Sequence, residues 1–483
     1  MREDILKTKL EKLENLKKAG IEVYPESSER SMTNKEALDS FDNISDEVFL
    51  VGRVKSLRPM GGSAFGHIED GSGKIQIFLN KKNIGDEKYK LFVDNIEIGD
   101  FVEAKGKLFK TKKEEKTLEV REWKVLSKNI RPIPTEYYGI KDTEELIRRR
   151  YLDLMCNPES RELFRKKNIF WQTIRQYLSS NGFLEVQTPV FEHIPGGADA
   201  EPFITHHNAL DQDFYMRISL ELPLKRLLVG GYEKVFEIGR VFRNEGIDRE
   251  HLQEFDHMEF YWAYSDLEKG MEFSEKLFKE VIEKVTGGLG TEHEDQKINW
   301  SKKFPVVDYF TEFKKETGID LEDPIEASTE VLKAKADELG IKYEKGYSRG
   351  KMIDTLYKKT VRQKLIQPCF LTGHPIEVSP LAKKNPSNPK KVLRFQIIAG
   401  QSELCNAFGE LNDPIDQKER FLEQMKAREA GDKEAQMFDE DFVEALEYGM
   451  PPAFGCGLSE RLFAFIMNKS IRETVIFQAV KGK

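Results

Sequence analysis

Long apolar runs are missing from this chain of 483 residues. The longest, 462–467, has six, far short of the ~20 needed to cross a bilayer as a helix. Cysteine is scarce as well. Cys156, Cys369, Cys405 and Cys456 include no CxxC pair and no zinc-ligand spacing, which excludes a disulfide framework and a zinc ribbon. The expectation is isolated core thiols in a reducing cytoplasm. The opening Met1-Arg2-Glu3-Asp4 lacks the basic start and apolar centre of a secretion signal. Excess positive charge is missing too: the net charge of −8 excludes a uniformly basic nucleic-acid coat but leaves room for a local basic face. There is no internal repeat and no low-complexity tract.

What is present is apolar material for a sizeable core, 39% of residues, under a strongly ionic surface, 33% charged against a usual share of about 25%. Leu6, Leu10 and Leu13 follow i, i+4, i+7 spacing and predict a first helix, stopped at Gly20, with that stripe laid on the next domain. Short β-rich runs then follow at 48–54, 64–68, 74–79, 101–107 and 118–126. Gly61-Gly62, Asp70-Gly71-Ser72-Gly73 and Gly99-Asp100 punctuate them, and a helical piece near 88–92 falls after the third. Five strands with a helix after the third is the order of an OB-fold barrel, which often binds oligonucleotides. Phe65 on the second strand reads either as a core aromatic or as a platform for a base. The basic run Lys105, Lys107, Lys110, Lys112, Lys113 and Lys116 reads either as a solvated hairpin or as a phosphate-facing edge. Arg131-Pro132-Ile133-Pro134 marks a stiff linker, and 159–180 reads as one long helix ended by Asn181-Gly182. The charged, helical stretch 288–373 has the texture of an insertion.

Four clusters carry chemistry. The first runs from Gly182 to Pro189 and on to Pro195-Gly196-Gly197-Ala198, where glycines let backbone approach a ligand. The second pairs Phe242-Arg243-Asn244-Glu245-Gly246 with a strand through Phe255, Glu259 and Tyr261. Arg243 offers a planar fork for phosphate or carboxylate, while Glu259 and Tyr261, two apart, share one strand face. The third, Glu403 to Pro414, mixes acids and amides with apolar residues, as a cation or amine site would. The fourth, Phe454 to Phe463, reads as strand, glycine turn and helix, with Ser459 as N-cap and Arg461 in the first turn.

In this order the clusters resemble the three signature motifs of class II aminoacyl-tRNA synthetases. The phrases Pro202-Phe203-Ile204-Thr205-His206-His207-Asn208, Leu224-Lys225-Arg226-Leu227, Glu377-Val378-Ser379-Pro380-Leu381-Ala382 and Glu410-Leu411-Asn412-Asp413 are similar to the lysyl branch. The resemblance implies an α+β chain: an OB-fold anticodon-binding domain followed by a catalytic domain built on an antiparallel sheet with flanking helices. The division it implies is 1–46 for helix and connector, 47–130 for the barrel, 131–158 for the linker and 159–483 for the catalytic domain. It implies activation of L-lysine by ATP, transfer to the 3′ end of tRNA(Lys), a homodimer joined along 159–189, and no membrane.

Residue by residue, the resemblance gives Arg243 and Arg461 to catalysis. It gives Arg243, Glu245, His251, Phe255, Glu403 and Arg461 to ATP, with Phe255 and Arg461 sandwiching adenine. Gly197, Glu221, Glu259, Tyr261, Asn406 and Glu410 go to lysine, with Glu259 and Glu410 holding the ε-ammonium. Phe65, Gln76 and Glu115 go to the anticodon. Glu403 is the implied Mg²⁺ ligand. Three departures accompany it. Gln396 stands seven residues before Glu403, where the family has a second acidic ligand. The motif 2 loop reads Glu250-His251-Leu252-Gln253-Glu254-Phe255. Motif 3 is one residue short and lacks its third glycine.

Overall fold

The computed structural model describes residues 2–133, 142–246, 251–344, 346–429, 431 and 434–480. It divides into two units, 1–141 and 142–483. Pro134, the end of the stiff linker, lies outside the described residues.

The first unit is a closed barrel of β1 (Val48–Met60), β2 (Ser63–Glu69), β3 (Lys74–Asn80), β4 (Phe101–Lys110) and β5 (Lys116–Ser127), ordered β1-β2-β3-β5-β4. Strict alternation along β2 and β3 sends Ala64, Ile68, Ile75, Ile77 and Leu79 inward, as a half-buried sheet requires. Helix α1 (Arg2–Lys18) packs on this core through Leu13 and Leu16. Leu6 and Leu10, placed in the stripe by their spacing, are instead exposed. Polar contacts account for the offset: Lys9 and Lys12 reach Glu97 at 3.2 and 2.8 Å, and Asn15 meets Asn95 at 3.2 Å. These bonds pin the C-terminal half of α1 to the end of α2 (Asp86–Asn95). Three of the six lysines of the basic run have partners within the first unit. Lys105 pairs with Glu122 at 2.8 Å, Lys110 with Asp42 at 3.6 Å, and Lys116 donates to the Leu38 carbonyl at 2.6 Å.

The second unit is built on eight strands: β6 (Leu184–Glu185), β7 (Lys234–Phe242), β8 (Glu254–Ala263), β9 (Val306–Asp308), β10 (Cys369–Thr372), β11 (Arg394–Ala399), β12 (Ser402–Gly409) and β13 (Ala453–Ser459). Their order is β9-β10-β11-β12-β13-β8-β7-β6, antiparallel except at the two edges. Helices α3 (Pro158–Ser180) and α5 (Leu267–Thr286), which flank α4 (Glu221–Val229) in the chain, share one apolar cluster with the sheet. Phe170, Ile174 and Leu178 from α3 and Leu277, Phe278, Val281 and Ile282 from α5 meet Phe236, Met258 and Phe260 there. That helical spacing is an apolar stripe. Met258 and Phe260 face the helices, so the odd positions of β8 face the other way.

Three expectations change. Residues 142–158 are not a bare linker but carry two short helices, Thr143–Arg148 and Arg150–Cys156. Arg150 is 5% exposed, pairs with Asp153 at 2.9 Å and donates to the Val475 carbonyl, which makes this stretch part of the second unit. The stretch 288–373 is not wholly an insertion, because β9 and β10 within it extend the main sheet. The helices between them, including α6 (Arg349–Lys359), build a further core of Phe313, Leu332, Met352 and Leu356 that continues into Cys369, Leu371 and Ile398 of the sheet. The core thiols are not all isolated, either: Cys405 and Cys456, both free, lie on neighbouring strands with sulfurs 3.1 Å apart. Among the described residues no helix is long and apolar enough to cross a membrane.

Candidate active site

The face of the sheet away from α3 and α5 forms the floor of a cavity of about 550 Å³. Phe255, His257, Glu259 and Tyr261 all line it, the period of two that a strand imposes. Gly455 and Gly457 on β13 pair with Tyr261 and Glu259. The glycines are therefore mid-strand rather than in a turn. A Cβ on Gly455 would lie 2.4 Å from the Tyr261 ring and 2.1 Å from Glu410 Oε1, so no side chain fits. Gly197 (φ +87°) brings the 195–199 loop against Ser219 and Glu221, where a Cβ would meet both at under 3 Å. Ser459 stays in the strand, and its hydroxyl accepts the Arg461 N–H at 3.2 Å. Lys167 of α3 bonds the buried Glu460 and fixes this corner.

One end of the cavity is acidic. Glu259 is 3% exposed and saturated with donors: Ser219 Oγ at 2.6 Å, the Leu220 N–H at 2.9 Å and the Tyr261 hydroxyl at 2.8 Å. Burial disfavours its charge, but His257 at 3.4 Å and these donors outweigh burial and hold it near pKa 2. Glu221 and Glu410 share one ammonium. Lys225, fully buried, lies 2.5 Å from each. Burial, opposed by Lys225, pushes Glu221 up to about 7 and Glu410 up to about 8. Glu410 is 1% exposed: its Oε2 meets Lys225, while its Oε1 lies over Gly455 on the face that Tyr261 shares and is buried without a hydrogen bond.

The rest of the cavity is rich in cations. Arg243 donates to the Ile218 carbonyl at 3.2 Å and lies 5.2 Å over the Phe255 ring. Burial depresses its pKa, Glu245 opposes that and Arg461 adds to it, so the two arginines are electrostatic neighbours. Arg461 donates to the Glu403 carbonyl at 3.4 Å. Glu245 and His251 line the same cavity. Asn406 lines it as well, with its carbonyl oxygen held by Arg394 at 2.9 Å. Arg394 is fixed in turn by the Val378 carbonyl and Ser379. Thr188, in the first cluster, serves the framework by donating twice to Glu237, which holds Arg217 at 2.7 Å.

Gln396 is 5% exposed, is bonded to the buried His374 at 3.2 Å and does not line the cavity. It pairs across the hairpin with Asn406, while Glu403 pairs with Ile398 beyond a register shift at Leu404. The side chain at 396 is thus bonded to His374, and of the two positions only Glu403 lines the cavity. Among the described residues no three His, Cys, Asp or Glu side chains form a metal-binding group. The sequence reading missed Ser219, Lys225, His257, Arg394, Lys358 and Arg362. His257 alone carried a signal, sharing the parity of Glu259 and Tyr261.

On the barrel, Phe65, Gln76 and Glu115 share an outer face. Phe65 is half-buried, 4.6 Å from the Phe78 ring, which lies 6.0 Å from Phe109. Gln76 accepts from Thr117 at 2.7 Å, and His67 joins Glu115 at 3.2 Å. Phe65 is thus outside the barrel core.

Residues 142–481 match the family described as tRNA synthetases class II (D, K and N), and 48–126 match the OB-fold nucleic acid binding domain. The chain belongs to the class II tRNA synthetases. Its full-length relatives include lysine–tRNA ligases. That of Carboxydothermus hydrogenoformans is 45% identical across 99% of this chain and 98% of the relative. That of Halalkalibacterium halodurans is 44% identical across 99% and 97%, and that of Pelotomaculum thermopropionicum 42% across 99% and 95%.

Proposed function

We propose that this chain is a lysine–tRNA ligase, joining L-lysine to ATP with release of pyrophosphate and then passing the lysyl group to tRNA(Lys). One observation carries the choice of amino acid. Two buried carboxylates, Glu221 and Glu410, share the single buried ammonium of Lys225, and a third, Glu259, is their electrostatic neighbour. Such an excess of buried carboxyl groups over cations calls for a second cation. The ε-ammonium of lysine, set against Glu259 and Tyr261 with Glu221 beside them, is the cation this reading supplies. The acyl step needs alignment and charge neutralisation more than an acid or base. Arg243 bridges the lysine carboxylate and the α-phosphate, and adenine lies between Phe255 and Arg461, with Glu245 at its amino group. Mg²⁺ enters as the companion of ATP, with Glu403 the carboxylate in reach. The enzyme works in the cytoplasm as a homodimer joined along 159–189. ATP–pyrophosphate exchange with a panel of amino acids tests the reading: lysine alone should support exchange, and equal exchange with aspartate or asparagine would sink it.

The raised carboxylates give a further expected outcome. With Glu221 raised to about 7 and Glu410 to about 8, the empty site is partly protonated at pH 7. An arriving ammonium favours the ionised forms, so lysine binding releases protons and weakens as the pH falls through about 8 and 7. Calorimetry at pH 7 in two buffers of different ionisation heat reads the release directly, and net proton uptake would contradict it.

The outer face of the barrel reads the anticodon through Phe65, with Gln76 and Glu115 flanking. Phe65→Ala should slow tRNA charging while leaving pyrophosphate exchange near wild type, because stacking on a base is worth about 1–3 kcal/mol. An equal fall in both rates would return Phe65 to a purely structural role.

A further inference from the structure

Five Lys and Arg side chains line the cavity: Arg243, Lys358, Arg362, Arg394 and Arg461. Four are engaged. Arg394 and Arg243 donate to Asn406 and to the Ile218 carbonyl, Arg461 donates to the Glu403 carbonyl, and Lys358 pairs with Asp354 at 2.7 Å. Arg362 is different. It is half-buried, its Nε is buried without a hydrogen bond, and no described residue gives its guanidinium an ion-pair partner. A half-buried cation with no anion of its own is open to a negatively charged ligand. Arg362 sits just past α6, in the helical segment outside the main sheet, and both it and Glu403 act electrostatically on the buried Tyr357. Arg461 bonds the backbone of that same Glu403, and Arg243 feels Arg461. Arg243, Arg362 and Arg461 thus line one cavity with Glu403, and Gln396 brings no second acid to it.

We propose that Arg362, with Lys358 four residues before it at the cavity mouth, binds the pyrophosphate portion of ATP, providing positive charge where a second protein carboxylate for metal is lacking. The proposal rests on the ligase reading. In the forward step a lysine carboxylate oxygen forms a bond to the α-phosphorus and the bond from that phosphorus to the α–β bridging oxygen breaks. Its electron pair leaves on pyrophosphate. The fork of Arg362 meets that developing charge with two parallel N–H donors. Arg243 and Arg461 remain on the α-phosphate and adenine, so the work is divided along the triphosphate.

Inorganic pyrophosphate, titrated calorimetrically into the full chain, is the probe that does not depend on turnover. Arg362→Gln should weaken its binding by about 10- to 100-fold, the loss expected for hydrogen bonds to a charged group. Arg362→Lys should recover part of that loss, and both variants should bind lysine as wild type does. In exchange assays the half-saturating pyrophosphate and ATP should rise while that of lysine stays fixed. Pyrophosphate binding by Arg362→Gln within twofold of wild type would overturn the proposal. So would a parallel loss of lysine binding that Arg362→Lys does not repair, which marks a purely structural residue. Failure of wild type to exchange with lysine would instead sink the ligase reading, and the pyrophosphate titration would still judge Arg362.

Discussion

Glu259→Gln raises the lysine concentration for half-maximal pyrophosphate exchange by about 30- to 1,000-fold, the equivalent of ~2–4 kcal/mol for a buried ammonium that loses its charge partner. The expectation follows from how firmly the ionised form of Glu259 is held. Ser219, Leu220, Tyr261 and His257 all stabilise its charged form, which holds it near pKa 2. The amide is nearly isosteric but cannot accept at both positions, so Ser219 or Tyr261 is left facing an N–H. Half-saturating ATP should change little, because Arg243 and Phe255 are untouched. A lysine KM within a few-fold of wild type would show that the ammonium is held elsewhere.

Much of this site was legible because strands impose parity. Glu259 and Tyr261 share a face by counting, and the same count contained His257. The barrel was legible for the same reason: its inward positions alternate and its turns carry glycine and aspartate. What was not legible is which side chains meet across elements. Glu410 follows the last residue of β12 and reaches over Gly455, but nothing in its local pattern announces that Lys225 of α4 meets it there. Gln396 and Glu403 stand seven apart across a hairpin, and only the fold shows that Gln396 bonds His374 while Glu403 lines the cavity. Arg362 lies in the charged, helical stretch read as an insertion. Only the tertiary fold brings it to the cavity.

The buried ammonium behind the pocket supports the largest effect on stability. Lys225→Met should destabilise the empty protein by about 3–5 kcal/mol at pH 8.5, the usual cost of removing one partner from a buried ion pair. Glu221 and Glu410 would then be two desolvated carboxylates with no cation between them. The pH dependence fixes the cause. Both already have folded pKa values near 7 and 8, above the ordinary 4.5, and loss of Lys225 raises them further. A carboxylate whose folded pKa is raised binds protons more tightly in the folded state. The stability tied to it is present below pH 4.5 and lost as the pH climbs through the folded value. The variant's deficit should therefore be greatest above pH 8 and shrink toward pH 5.5, where both acids are neutral, while Lys225→Arg retains most of the wild-type profile. Thermal unfolding of the three proteins across pH 5.5–8.5 measures this. A deficit that does not change with pH would assign Lys225 to packing alone, and Glu221 and Glu410 would then owe their place in the fold to other neighbours.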